Sequence, residues 1–195
     1  MAKRVYLFDE GSKDDSDLLG GKGANLCEMT HLGLPVPFGF VITTPTCLEF
    51  FERGNTLPTL LEQEYRVALD LVEKRMDARF GDPDNPLLFS VRSGAPVSMP
   101  GMMDTILNLG LNDEIVEGLA AQTGNPRFAY DSYRRFIQMF GDVVLGVKGH
   151  RFEEAITNYK SEHGYVSDVE LSAEDWQNVI TTFKTFTRFP QDPFE

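Results

Sequence analysis

The stretch from residue 88 to residue 105, LFSVRSGAPVSMPGMMDT, carries residue types suited to binding phosphate. Arg92 follows an apolar run that predicts a buried strand, and the glycines and prolines after it exclude a regular element. Ser93 and Ser98 supply hydroxyl donors, and Gly94 and Gly101 let backbone N–H groups approach a ligand. An arginine fork beside such a loop can hold phosphate oxygens. A surface loop whose arginine pairs with an aspartate is an equally good interpretation of these residues alone.

The sequence GGKGANL, residues 20–26, supplies a second candidate phosphate contact. It predicts a glycine-rich turn that opens a helix, with Lys22 in the first turn and Gly33 at the helix end. Free N–H groups and partial positive charge at a helix start favour an anion there. The spacing of a Walker loop and its Lys-Ser/Thr pair are missing. The alternative is a lysine that lies in solvent at the start of a helix.

The elements around these residues predict an α+β fold. Strands near residues 4–8, 37–42, 87–92 and 105–109 are expected to form a small mixed sheet with packed helices, including a long amphipathic helix that ends at Gly81. From residue 112 onward only helical patterns occur, so we predict one part over 1–111 and an all-helical subdomain over 112–195. Within the latter, Asn125 before Pro126 predicts a helix N-cap, and the stretch from Ser172 to Asp175 predicts a capping box. Arg134 and Arg135 are expected in solvent-exposed ion pairs.

Composition narrows the classes of function. The net charge is −12, spread over both halves, which makes a nucleic acid a poor partner. No stretch approaches the ~20 apolar residues of a membrane span, and no secretory signal is visible, so a cytoplasmic protein is expected. Cys27 and Cys47 are expected to be buried free thiols. No metal-binding or catalytic spacing of histidine, cysteine or serine occurs, so neither metal ligands nor catalytic residues are expected.

Three segments together closely resemble the N-terminus of the pyruvate, phosphate dikinase family. They are GGKGANL (20–26), GLPVPFGFVITT (33–44) and SVRSGAPVSMPGMMDTILNLG (90–110). The resemblance runs along all 195 residues, and the third segment separates the dikinases from phosphoenolpyruvate synthases, whose loop differs.

The resemblance implies an ATP-grasp-like nucleotide-binding fold. It implies that Lys22 and Arg92 contact the ATP phosphates, and that the loop from Ser93 to Thr105 folds over them. The expected ATP-binding residues are therefore Lys22, Arg92, Ser93, Gly94, Gly101, Asp104 and Thr105. The stretch from Asn112 onward resembles the family's helical subdomain, and the magnesium ligands are expected outside this segment.

The resemblance also implies the reaction of the whole enzyme, which converts ATP, orthophosphate and pyruvate to AMP, pyrophosphate and phosphoenolpyruvate through a phosphorylated histidine. None of His31, His150 and His163 lies in a match to the phosphohistidine motif. The proline-bearing end, FPQDPFE, is typical of a linker, so we expect a segment of a longer chain.

Two alternatives remain beside an enzyme segment: a stand-alone nucleotide- or anion-binding regulatory module, and an interaction domain made chiefly of the helical half. The expected partners are ATP and the remaining domains of the full-length enzyme, which is expected to form a homo-oligomer. No nucleic-acid or membrane partner is expected. The isolated chain is expected to bind ATP weakly and to lack dikinase turnover.

Overall fold

A computed structural model describes residues 3–93 and 105–191, which contain seven α-helices and four β-strands. The expected α+β class is confirmed. The chain divides into two compact units: residues 3–77 form the first, and residues 78–92 together with 105–191 form the second. The predicted division at residues 111 and 112 stays a prediction.

The first unit is a two-stranded antiparallel sheet with three helices. Its elements are β1 (Val5–Leu7), α1 (Ser16–His31), β2 (Phe40–Ile42), α2 (Thr44–Glu52) and α3 (Leu61–Met76), with a short 3₁₀ turn at Lys13–Asp15. Strands β1 and β2 pair with Val5 opposite Ile42 and Leu7 opposite Phe40. A core of four buried side chains lies between sheet and helix α1: Phe8, Leu19, Ala24 and Cys27.

Two helix ends in this unit show what the sequence does and does not reveal. Gly33 has φ +69°, and the N–H groups of Gly33 and Leu34 donate to carbonyls of the last turn of α1, so the predicted glycine stop is correct. Helix α3 ends at Met76 because Asp77 is left-handed, with φ 50° and ψ 42°. The expected extension to Gly81 is therefore wrong: Phe80 packs on Phe89 instead, with ring centroids 5.7 Å apart.

The second unit contains one antiparallel strand pair followed by helices. Its elements are β3 (Phe89–Arg92), β4 (Thr105–Leu109), α4 (Ile115–Thr123), α5 (Pro126–Val143), α6 (Gly149–His163), a 3₁₀ turn at Asp168–Glu170, and α7 (Ala173–Lys184). The core lies around α5, and its largest fully buried side chains are Trp176, Tyr133, Phe152 and Phe183. Asn125 and Ser172 cap α5 and α7 as the sequence predicts, each accepting a backbone N–H.

Several details differ from the sequence expectations. The four described strands form two separate antiparallel pairs, β1–β2 and β3–β4, and not one mixed sheet. Cys27 is buried as expected, but Cys47, in α2, is exposed, so the expectation for Cys47 is wrong. Arg134 was expected in solvent and is only 8% exposed, whereas Arg135 is exposed.

Candidate phosphate-binding site

Lys22 lies where helix α1 is interrupted and begins again. Gly20 has φ 70° and ψ 158°, which are not helical angles, and the residues on either side of it are helical. Because the helix resumes at Gly21, Lys22 is in the first turn of the resumed segment, as the sequence predicts. A residue with a side chain would be strained at this positive φ, so glycine is needed at position 20. The first backbone N–H groups of a helical segment have no partner within it and suit an anion.

A second glycine holds the resumed helix against the sheet. A Cβ atom on Gly23 would lie 3.0 Å from both methyl groups of Val41 in β2, which is closer than ordinary contact. The missing side chain therefore lets α1 approach β2 directly after Lys22. The same sheet contributes to the buried core that contains Leu19 and Ala24. Lys22 thus extends from a backbone that is fixed on the side facing the sheet.

The Lys22 side chain is half-buried and carries a charge without a partner in the part of the chain that the structure describes. Two of the three other lysines described in this unit have carboxylate partners: Lys3 Nζ lies 2.5 Å from Glu10, and Lys13 Nζ lies 3.7 Å from Glu28. Lys74, the third, has no carboxylate partner among the described residues, but unlike Lys22 it is exposed. The chain has a net charge of −12, so carboxylates are abundant. A half-buried lysine that nevertheless has no carboxylate partner among the described residues can bind an external anion.

Arg92 and Thr105 lie opposite each other where strands β3 and β4 meet the segment between them. They are register partners across the antiparallel pair, and Arg92 is exposed with Ser93 next to it along the chain. Within residues 3–93 and 105–191 no carboxylate pairs with Arg92. The structure therefore brings two of the predicted ATP-binding residues together, and the alternative of an arginine paired with an aspartate has no support among the described residues.

A β-bulge, which the sequence expectations do not include, determines the geometry of this hairpin. The register shifts between Phe89 and Val91, and Asn108 on the opposite strand is left-handed with φ +60°. The Asn108 side-chain N donates to the Ser132 carbonyl at 3.2 Å, which ties the bulge to α5. The available signal was the pair Asn108 and Gly110, since both residue types tolerate positive φ and both have it here.

Three predicted site residues, Gly94, Gly101 and Asp104, lie outside the described residues. Lys22 belongs to the first unit and Arg92 to the second, so their convergence on one nucleotide stays a prediction. Among the described residues, no three histidine, cysteine, aspartate or glutamate side chains lie close enough together to hold a metal ion. No helix in the described ranges is both long and apolar enough to cross a bilayer.

Comparison with known proteins identifies the relatives of this chain. The family described as "Pyruvate phosphate dikinase, AMP/ATP-binding domain" matches residues 16–71, which contain Lys22. Pyruvate, phosphate dikinase of Rhizobium meliloti (strain 1021) is 52% identical over 203 residues, and that of Clostridium symbiosum is 50% identical over 200 residues. The same enzyme of Giardia intestinalis is 52% identical over 206 residues.

These alignments cover 99% of this chain and 23% of each of the three relatives. The chain thus spans less than a quarter of the length of the curated relatives that it matches. The resemblance inferred from the three motifs is confirmed: over nearly its whole length, this chain is similar to the N-terminal part of the pyruvate, phosphate dikinases.

Proposed function

We propose that this chain is the N-terminal ATP-binding segment of a pyruvate, phosphate dikinase. The whole enzyme would convert ATP, orthophosphate and pyruvate to AMP, pyrophosphate and phosphoenolpyruvate. The observation that carries the proposal is Lys22: a half-buried lysine without a partner among the described residues, in the first turn of a helical segment, inside the region that matches the ATP-binding family.

In this proposal the segment binds and orients phosphates and performs no covalent step. The Lys22 ammonium and the N–H groups after Gly20 neutralise charge on one phosphate, and Arg92 with Thr105 and Ser93 contacts the same triphosphate from the hairpin. Phosphoryl transfer depends on such positioning and charge neutralisation. Magnesium would add to that neutralisation, and we propose that its ligands lie outside this segment.

The proposal assigns the other sites to the remaining three quarters of the relatives' length. The phosphohistidine and the pyruvate site are proposed to lie there, as are the further contacts to the nucleotide. The segment alone would then bind ATP weakly, because an ATP-grasp site lies between two lobes and this chain supplies part of it.

The test is a thermal-shift titration of the 195-residue chain with MgATP up to millimolar concentration. A ligand that binds only the folded state stabilises it in proportion to the logarithm of its concentration over Kd. We expect a concentration-dependent rise in Tm that Lys22→Ala and Arg92→Ala each strongly reduce.

Two control variants remove one positive charge elsewhere. Lys74→Ala lies on an exposed position of α3, and Arg188→Ala lies beyond α7. Both should keep the full response to MgATP. The proposal fails if the native chain shows no shift at millimolar MgATP, or if Lys22→Ala responds as the native chain does.

A further inference from the structure

The interruption of α1 at Gly20 leaves carbonyl groups in need of donors. At the end of a helical segment the last carbonyl oxygens have no partner within it. Asp17 and Leu18 lie in the turn that ends at Gly20, and the Thr44 hydroxyl contacts the carbonyl oxygens of both residues. Thr44 Oγ1 donates to the Asp17 carbonyl at 2.5 Å and lies 3.3 Å from the Leu18 carbonyl. One hydroxyl from a different element therefore donates to the Asp17 carbonyl, three residues before the break, and lies close to the Leu18 carbonyl.

Thr44 is itself held by the sheet. It is the first residue of α2, and Pro45 after it favours a helix start. The preceding residue, Thr43, is 2% exposed and donates its N–H to the Arg4 carbonyl at 2.9 Å, which continues the pairing of β1 with β2. The Thr43 hydroxyl is 2.8 Å from that of Thr46 in the next turn. The backbone that carries the Thr44 hydroxyl is therefore held by hydrogen bonds of the preceding residue, Thr43.

Two contacts then determine the course of α1 around Lys22. On the near side of Gly20, the Thr44 hydroxyl donates to the Asp17 carbonyl and lies 3.3 Å from the Leu18 carbonyl. On the far side, Gly23 lies against Val41 of β2. Both contacts come from residues 41–44, so the end of β2 and the start of α2 contact α1 on both sides of the break.

We propose that Thr44 is a positioning residue for phosphate binding at Lys22. Its hydroxyl holds the break at Gly20 in the one conformation that starts the resumed helix at Gly21 and presents Lys22 and the first N–H groups to an anion. The proposal rests on the proposed function of Lys22, but its structural part concerns the unliganded chain and is testable without a nucleotide.

The test compares Thr44→Val, which removes the hydroxyl at nearly constant shape, with Thr44→Ser, which keeps it. The first measurement is amide hydrogen exchange of the unliganded chain over residues 19–24. Thr44→Val should exchange there about fivefold faster, as expected for the loss of one hydrogen bond, and Thr44→Ser should match the native chain. The second measurement is the MgATP thermal shift, which Thr44→Val should weaken severalfold and Thr44→Ser should keep.

Thr30→Val is the matched control. The Thr30 hydroxyl donates to the Leu26 carbonyl at 2.8 Å in the regular part of the same helix, away from the break. It should alter neither the exchange of residues 19–24 nor the response to MgATP. A general loss of helix stability would instead affect Thr30→Val and Thr44→Val alike, and that result would overturn the positioning role.

The outcomes separate this inference from the proposed function. Unchanged exchange in Thr44→Val, or accelerated exchange in Thr44→Ser, overturns the inference whatever the nucleotide data show. Should Thr44→Val fail to fold, Thr44→Ser still decides, because it must behave as the native chain. If Lys22→Ala keeps the full MgATP response while Thr44→Val opens the break, the proposed function is wrong and the structural role of Thr44 stands.

Discussion

Asp175 is a carboxyl group whose charge is held by hydrogen bonds. It is 8% exposed, and burial by itself raises its pKa. The Ser172 hydroxyl and N–H and the hydroxyls of Tyr159 and Tyr165 all donate to the carboxylate, and together they lower the pKa from 3.8 to about 2. Asp175 therefore links the start of α7 to the end of α6 as an anion.

We predict that Asp175→Asn destabilises the second unit by about 2 kcal/mol, because the amide keeps one acceptor oxygen and its NH2 group leaves donors on the other side without an acceptor. In the native chain this stabilisation is complete above the ordinary pKa of 3.8 and is lost as the pH falls towards about 2, since the unfolded chain binds the proton first. Thermal denaturation from pH 7 to pH 2 measures both effects.

The neighbouring Glu174 gives the control for this prediction. It is exposed, and Glu174→Gln should change stability little at any pH. An Asp175→Asn chain that keeps the native Tm at pH 7 would contradict the role assigned to the carboxylate.

Arg134 shows that residue type and local spacing do not by themselves determine burial. Its guanidinium carbon lies 4.7 Å from the centre of the Trp176 ring, and Nη2 lies 2.5 Å from Asp131. Burial raises the pKa of Asp131, but hydrogen bonds from Arg134 and Arg135 outweigh it, so the pKa is lowered. An arginine beside the apolar stripe of α5 was expected in solvent. Its burial depends on α7, about forty residues later, and local spacing carries no information about that contact.

At the scale of the elements, Gly118 in α4 determines how the turn before β3 packs. A Cβ on Gly118 would lie 1.6 Å from the Pro83 carbonyl oxygen. The side chain of Gln122, one turn later, donates to the Asn85 side chain at 3.2 Å, so the turn rests along α4. This turn leads into Leu87 and then β3, which carries Arg92 at its end.

We predict that Gly118→Ala destabilises the chain by about 2–3 kcal/mol, because backbone atoms must move to relieve the overlap. Helix propensity alone predicts the opposite sign, a gain of about 1 kcal/mol. Denaturant unfolding followed by circular dichroism distinguishes the two. Ala121→Gly, at an exposed position of the same helix, should lower the free energy of unfolding by about 1 kcal/mol. This variant measures the effect of helix propensity without a packing change. A stabilised Gly118→Ala chain would show that the turn does not pack on α4.

The elements were largely predictable where local chemistry decides them. The glycine stop at Gly33, the cap at Asn125 and the capping box at Ser172 depend on neighbouring residues and are correct. The pairing of strands was not predictable, because which strand lies beside which depends on long-range packing. The end of α3 was misplaced because Phe80 continues the helical spacing by coincidence and packs elsewhere.

At the scale of the whole molecule, the candidate site was predictable in part. The sequence GGKG predicts a helix start with Lys22 in its first turn, and the structure has it there. The lack of a carboxylate partner for Lys22 among the described residues was not predictable. Any of the acidic residues could pair with Lys22, and only the tertiary structure determines which of them lie close to it. The hydrogen bond from Thr44 to the backbone before Gly20 was not predictable either. Thr44 follows Lys22 by more than twenty residues, and its position depends on where β2 ends.

We predict that the 195-residue chain has no dikinase turnover. Incubation with ATP, magnesium, orthophosphate and pyruvate should give no pyruvate-dependent AMP, because the proposed phosphohistidine and pyruvate sites lie outside it. The full-length dikinase of Clostridium symbiosum, assayed in parallel, is the positive control. Pyruvate-dependent AMP from the short chain would refute the assignment of those sites to the rest of the relatives' length.

The contrast between the two cysteines makes selective chemical labelling practical. Cys27 is 0% exposed beneath Leu19 and Gly11, and burial raises the pKa of its thiol, whereas Cys47 is exposed on α2. These are the two cysteines of the chain, so a maleimide dye at neutral pH should attach at one site without mutagenesis. That dye would sit one helical turn from Thr44, where its fluorescence can report on the junction of β2 with α2 as nucleotide is added.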